Sequence, residues 1–186
     1  DGYLEIARRT REATRRLLEG IKGIEGLRMT ARPDLCMFSF TSDTVDVFTI
    51  VDEMKERGWY IQPQLTFETS RKNIHISINE SNAGLVDGLL RDLEDSVTAA
   101  KTVKASGLAS EVERLLAAQG SQEISDQDIS GMMAMLGIQG NRLPSRMAEI
   151  NGILDVLPVR LRERLLINFL NDLFVQPDDA DPERRQ

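Results

Sequence analysis

Apolar residues recur at spacings of three and four across residues 3–21: Tyr3, Ile6, Ala7, Thr10, Ala13, Leu17, Leu18 and Ile21. That period predicts an amphipathic helix. Its other face mixes Arg8, Arg9, Arg11, Arg15 and Arg16 with Glu5, Glu12 and Glu19, the pattern of a solvated face with local ion pairs or else of a face that binds phosphate or nucleic acid. Gly20, Gly23 and Gly26 punctuate its end and a following turn. Leu27–Ala31 and Leu35–Thr41 then read as strands joined at Arg32-Pro33-Asp34. Ser42 or Asp43 suits the cap of a helix over Val45–Arg57, with Val47, Phe48, Ile50, Val51 and Met54 as its apolar stripe and Gly58 as its stop. Trp59–Gln64 is a short strand, placed at a sheet edge by Pro63.

The clearest strand is Asn73–Asn79. Ile74, Ile76 and Ile78 alternate with Asn73, His75, Ser77 and Asn79, so one face is apolar and the other polar. A long helix to about Lys104 follows, with Ser81 as cap and Leu85 or Val86, Leu89, Leu90, Leu93, Val97 and Ala100 in its buried stripe. The fold class is therefore α+β: a small, mostly antiparallel sheet with helices packed on one face. An all-helical C-terminal extension comes next, with helices expected at 108–118, 128–136, 145–157 and 159–174, and Pro144 and Pro158 at first turns. Residues 120–126 read as a polar connector. The expected organisation is a small domain over 1–105, the extension over 106–175, and a charged, proline-containing, disordered tail over 176–186.

Charge and composition narrow the function classes. The formal net charge of -7 argues against a general nucleic-acid binder, which needs a basic face. The lone Cys36 permits no intrachain disulfide and fits a reducing, cytoplasmic setting. No apolar run approaches the ~20 residues that span a bilayer. The chain opens on Asp1 and enters a helix at once, which suggests a cut inside a longer protein or a processed start. One histidine and one cysteine leave no His/Cys zinc site, and no G-x-S-x-G elbow, phosphate loop or dinucleotide fingerprint occurs. No catalytic, cofactor-binding or metal-ligating residue is assigned.

Four residues are candidates for substrate binding. His75 lies on the polar strand face, where it either looks into a pocket or is held by hydrogen bonds under a covering segment. Arg71 and Lys72 precede that strand and suit an anionic group, or else form a solvated pair. Gln64 ends the edge strand, in an aromatic and amide cluster led by Trp59 and Tyr60. Trp59 itself reads as a channel wall or as a core anchor. Met132, Met133, Met135, Leu136 and Ile138 form either an adaptable contact surface or the core of a helical bundle. The apolar positions of the last helices, Leu157 to Phe174, exceed what one face needs. Part of them is expected to pack on another subunit or domain.

An ordered set of segments over residues 1–105 resembles the small C-terminal domain of pyridoxal-phosphate (PLP) lyases and decarboxylases of the aspartate-aminotransferase fold, and among these the sphingosine-1-phosphate lyase group. The set comprises Gly2-Tyr3, Ile21-Lys22-Gly23-Ile24, Arg32-Pro33, the Ser42–Val47 turn, Gly58-Trp59, Asn73-Ile74-His75-Ile76 and the helix containing Asp92–Val97. The resemblance implies a homodimer whose PLP is bound on a large domain, at a lysine following a histidine. No His-Lys pair occurs among Lys22, Lys55, Lys72, Lys101 and Lys104. It implies a small-molecule substrate, an amino-alcohol phosphate or an amino acid, and carbon–carbon cleavage or decarboxylation. The small domain would close the cleft and exclude water, and would be inactive alone. The alternative is a stand-alone α+β regulatory or protein-interaction module.

Overall fold

A computed structural model describes residues 2–104, 107–119, 131 and 144–174. The expected 120–126 connector, most of the 128–136 helix, the Met132–Ile138 cluster and the 176–186 tail lie outside the described residues. The chain divides into two compact units: Asp1–Ala109 with Arg146–Asp155, and Ser110–Ser145 with Val156–Gln186.

The first unit is the α+β sandwich. Its order is α1 (Gly2–Gly23), β1 (Leu27–Met29), β2 (Met37–Ser42), α2 (Val47–Glu56), β3 (Gln62–Gln64), β4 (Asn73–Ser77), a 3-10 turn (Ala83–Leu85) and α3 (Val86–Ala100). Helix α4 (Leu108–Gln119) begins in this unit, and α5 (Ala148–Val156) returns to it. All sheet pairings are antiparallel, in the order β1-β2-β4-β3, so Pro63 sits on an edge strand as its missing N–H requires. Phe38, Phe40, Ile74 and Ile76 point under the helices, joined there by Leu17, Ile21, Phe48, Ile50, Met54, Leu93 and Val97. Met37 and Ser77, paired across β2 and β4, are exposed on the opposite face.

Several boundaries move for local reasons. Helix α1 runs through Gly20 to Gly23. Gly20 is a contact position, because a Cβ there would overlap the Leu90 side chain of α3. Ser42 does not cap α2. Its Oγ accepts from the N–H groups of Thr44 and Val45, forming the preceding turn. Asp46 is the cap instead, accepting from Thr49 N at 3.1 Å. Helix α2 ends in a Schellman motif, with Gly58 N bonded to Lys55 O and Trp59 N to Met54 O. Gly58 has φ +84, which only glycine adopts without strain. Helix α3 lacks the Ser81 cap: Ser81 donates to Asn79 Oδ1, and the 3-10 turn leads into the helix.

In the second unit, α6 (Val159–Phe174) starts just after Pro158, whose carbonyl accepts from Leu161 N and Arg162 N. Leu157, Leu161 and Leu165 are buried, while Val159, Leu166, Ile167 and Leu170 are exposed.

Candidate functional site

The sheet's uncovered face is the candidate site. Antiparallel register puts directly paired residues on one face. Ser39 pairs with His75 and His75 with Gln62, forming a polar row across three strands. Thr30 extends that row: its Oγ1 bonds the Ser39 carbonyl at 3.0 Å and lies 2.5 Å from Ser39 Oγ. The next row pairs Asn73 with Gln64. His75 is half-buried, and Gln62 and Gln64 are exposed. His75 thus shares a face with Gln64, and also with Ser39, Thr30 and Gln62. Those three depend on pairings between distant segments, which no local pattern announces.

Beside His75 the strands part. Strand β3 begins only at Gln62, so a groove of about 330 Å³ opens between Trp59–Gln62 and His75–Ile78, bounded by Leu85 and Leu89. Trp59 is both wall and anchor: it is half-buried and its Nε1 donates to Asp92 at 2.6 Å. Tyr60 is 90% exposed at the rim.

Arg71 and Lys72 lie at the far end of β4. Arg71 Nη1 bonds Asp43 Oδ1 at 2.5 Å, and Arg28 Nε bonds the other oxygen at 3.1 Å. Those two guanidiniums, Arg28 first, hold the Asp43 carboxyl below its ordinary value. Lys72 Nζ bonds Asp46 at 2.6 Å and lies 5.0 Å from the Phe48 ring centre. Both cations are thus placed by acidic partners, apart from the His75 row.

One carboxylate cluster had no signature in the sequence. Asp52 is 2% exposed, on the α2 stripe, and accepts from Met147 N at 2.8 Å and Ala148 N at 2.9 Å. It caps α5 from 95 residues away. Next to it, Glu53 takes bonds from Arg146 (2.6 Å) and Arg57 (3.2 Å). The Arg146 bond is the main cause of a Glu53 pKa below its ordinary 4.5, and Arg146 is correspondingly raised. A depressed folded-state pKa stabilises the fold above pH 4.5, and that contribution is lost as pH falls through the lower folded value. Glu53→Gln is therefore expected to be less stable than wild type at neutral pH, with the gap closing in acid. Urea melts at pH 7 and pH 3 check this; a pH-independent gap contradicts it.

Among the described residues no group of three or more His, Cys, Asp or Glu side chains could hold a metal, and no helix is long and apolar enough to cross a membrane.

Comparison with known proteins places the chain. Residues 110–172 match the family model described as "Pyridoxal-dependent enzyme, C-terminal putative HTH domain". A sphingosine-1-phosphate lyase of Arabidopsis thaliana is 36% identical over 107 residues, which is 57% of this chain and 18% of that protein. The chain is related to the C-terminal part of pyridoxal-dependent enzymes. A sphingosine-1-phosphate lyase of Oryza sativa subsp. japonica is 33% identical, again over 57% of this chain and 18% of that protein. The chain thus spans under a fifth of the length of these curated relatives. The solved glutamate decarboxylase of Lactobacillus brevis shares the fold, with a TM-score of 0.50 at 14% identity, over 56% of this chain and 26% of that one.

The cofactor named in the matched family description does not fit the described residues of this chain. Of its lysines, Lys72 is engaged by Asp46 and Phe48, and Lys22, Lys55, Lys101 and Lys104 are exposed on or beside helices. None lines the groove beside His75.

Proposed function

We propose that this chain is the C-terminal portion of a PLP-dependent carbon–carbon lyase or decarboxylase acting on an amino-alcohol phosphate or an amino acid. The observation that carries the reading is the 107-residue match at 36% identity to a sphingosine-1-phosphate lyase. Residues 1–105 are the small domain and residues 106–175 a helical extension that returns α5 to it. PLP is held by a large domain encoded elsewhere in the protein, and the active assembly is a cytoplasmic homodimer.

Two features support this reading. Polar Ser39, His75 and Gln62 make a row suited to cover a ligand held opposite, where exclusion of water strengthens polar contacts. The apolar stripe of α1 also continues in register beyond its buried Ala13, Leu17 and Ile21 into exposed Tyr3 (91%) and Ile6 (39%), as a helix does when its first turns pack on another domain. In this reading His75 and Gln64 face the substrate, while Arg71 and Lys72 fix the end of the sheet nearest its anionic group.

In the intact enzyme, His75→Ala is expected to raise KM about tenfold with a smaller change in kcat, since it removes a contact to bound substrate. Its half-buried position keeps the stability change small. Unchanged kinetics contradict the placement of His75, and absence of lyase and decarboxylase activity on both substrate classes contradicts the function.

A further inference from the structure

Helix α5 is tied to the sandwich at both ends. Asp52 holds its first N–H groups. At its other end Asp155 accepts from Thr66 twice, from the backbone N–H at 2.5 Å and from Oγ1 at 3.1 Å. The second tie is unusual in its placement. Asp155 is the penultimate residue of α5, where the negative end of the helix dipole disfavours an anion. The dipole therefore does not favour a carboxylate there, whereas the two Thr66 bonds do.

Thr66 lies in the 65–72 connection from β3 to β4. That connection folds back on itself through one local bridge, Phe67 N to Ser70 O and Ser70 N to Phe67 O. Phe67 at its tip is 61% exposed, and Glu68 has φ 50. The connection delivers Gln64 on one side and Arg71 and Lys72 on the other. A carboxylate that takes both donors of a single residue fixes its position and its backbone orientation. The clamp comes from α5, inside the 110–172 span matched by the family model.

We propose that Asp155 is a positioning residue: by clamping Thr66 it sets the β3–β4 connection, and through it the Arg71–Lys72 end of the open face. The helical extension thereby acts as a strap on the substrate-facing sheet edge. The catalytic meaning of the strap rests on the proposed function; the strap itself does not.

The test is backbone amide exchange, read by mass spectrometry on the full natural chain as wild type, Asp155→Ala and Thr66→Ser. Alanine is a better helix former than aspartate, so Asp155→Ala leaves α5 intact. Residues 65–72 are expected to exchange about tenfold faster in Asp155→Ala, with residues 73–78 unchanged. Thr66→Ser, which keeps both donors, should match wild type. Exchange at 65–72 within twofold of wild type overturns the proposal, as does equal acceleration across 73–78, which reports general destabilisation. In the active enzyme Asp155→Ala should also raise KM more than it lowers kcat; an equal fall in kcat and kcat/KM overturns the link to substrate. Faster exchange at 65–72 in a protein without lyase or decarboxylase activity upholds the strap while removing the enzyme reading.

Discussion

Asp52→Ala is expected to lower the unfolding free energy by about 3 kcal/mol. The carboxylate is 2% exposed and accepts from two consecutive backbone N–H groups at the start of α5. Its removal leaves two orphan donors at a helix N-terminus, loses the favourable charge at the positive end of that helix, and frees Arg146 from one of its acidic neighbours. Asp52→Asn keeps an acceptor but not the charge, so its loss should be smaller. Equilibrium urea unfolding reads both variants. A change in Asp52→Ala under about 1 kcal/mol would mean that water replaces the cap freely.

Phe40→Ala is expected to cost about 4 kcal/mol by the same measurement. Phe40 is fully buried in β2, between Met29 of β1 and Ile74 of β4, under the helical layer. Truncation removes its transfer free energy and leaves a void between sheet and helices that a close-packed interior fills only partly. Phe67→Ala is the matched control: that ring is 61% exposed, and its loss should stay within about 0.5 kcal/mol. Equal effects at the two positions would place the core elsewhere.

The two sites differ in how far the sequence announces them. Alternation along 73–79 exposes the strand, its buried isoleucines and the outward-looking His75, because side-chain period and burial are local properties of a strand. Gly58 and Pro63 are likewise legible, one through its backbone freedom and the other through its missing donor. Asn73 breaks the alternation. It is 3% exposed, and its amide turns back to donate to the Arg71 carbonyl, a local bond that apolar patterning does not encode. Ser42 or Asp43 suits a cap by residue type, yet Ser42 serves the turn and Asp43 collects Arg28 and Arg71, which leaves Asp46 to start α2. Asp52, Trp59 and Asp155 have partners 95, 33 and 89 residues away, and only tertiary structure brings those together. Among the candidate residues, His75 and Gln64 share the open face, whereas Arg71 and Lys72 stand at its end in acidic pairs. The polar row through Ser39 and Gln62 needed the strand order before it could be seen.

Borohydride reduction of the purified full natural protein tests directly whether this chain is part of a PLP enzyme whose cofactor is held by residues outside it. Proteolysis and mass spectrometry then locate the pyridoxyl-lysine. One modified lysine, outside residues 1–186 and preceded by histidine, is expected. An adduct on Lys22, Lys55, Lys72, Lys101 or Lys104, or none on any lysine of the protein, would contradict it.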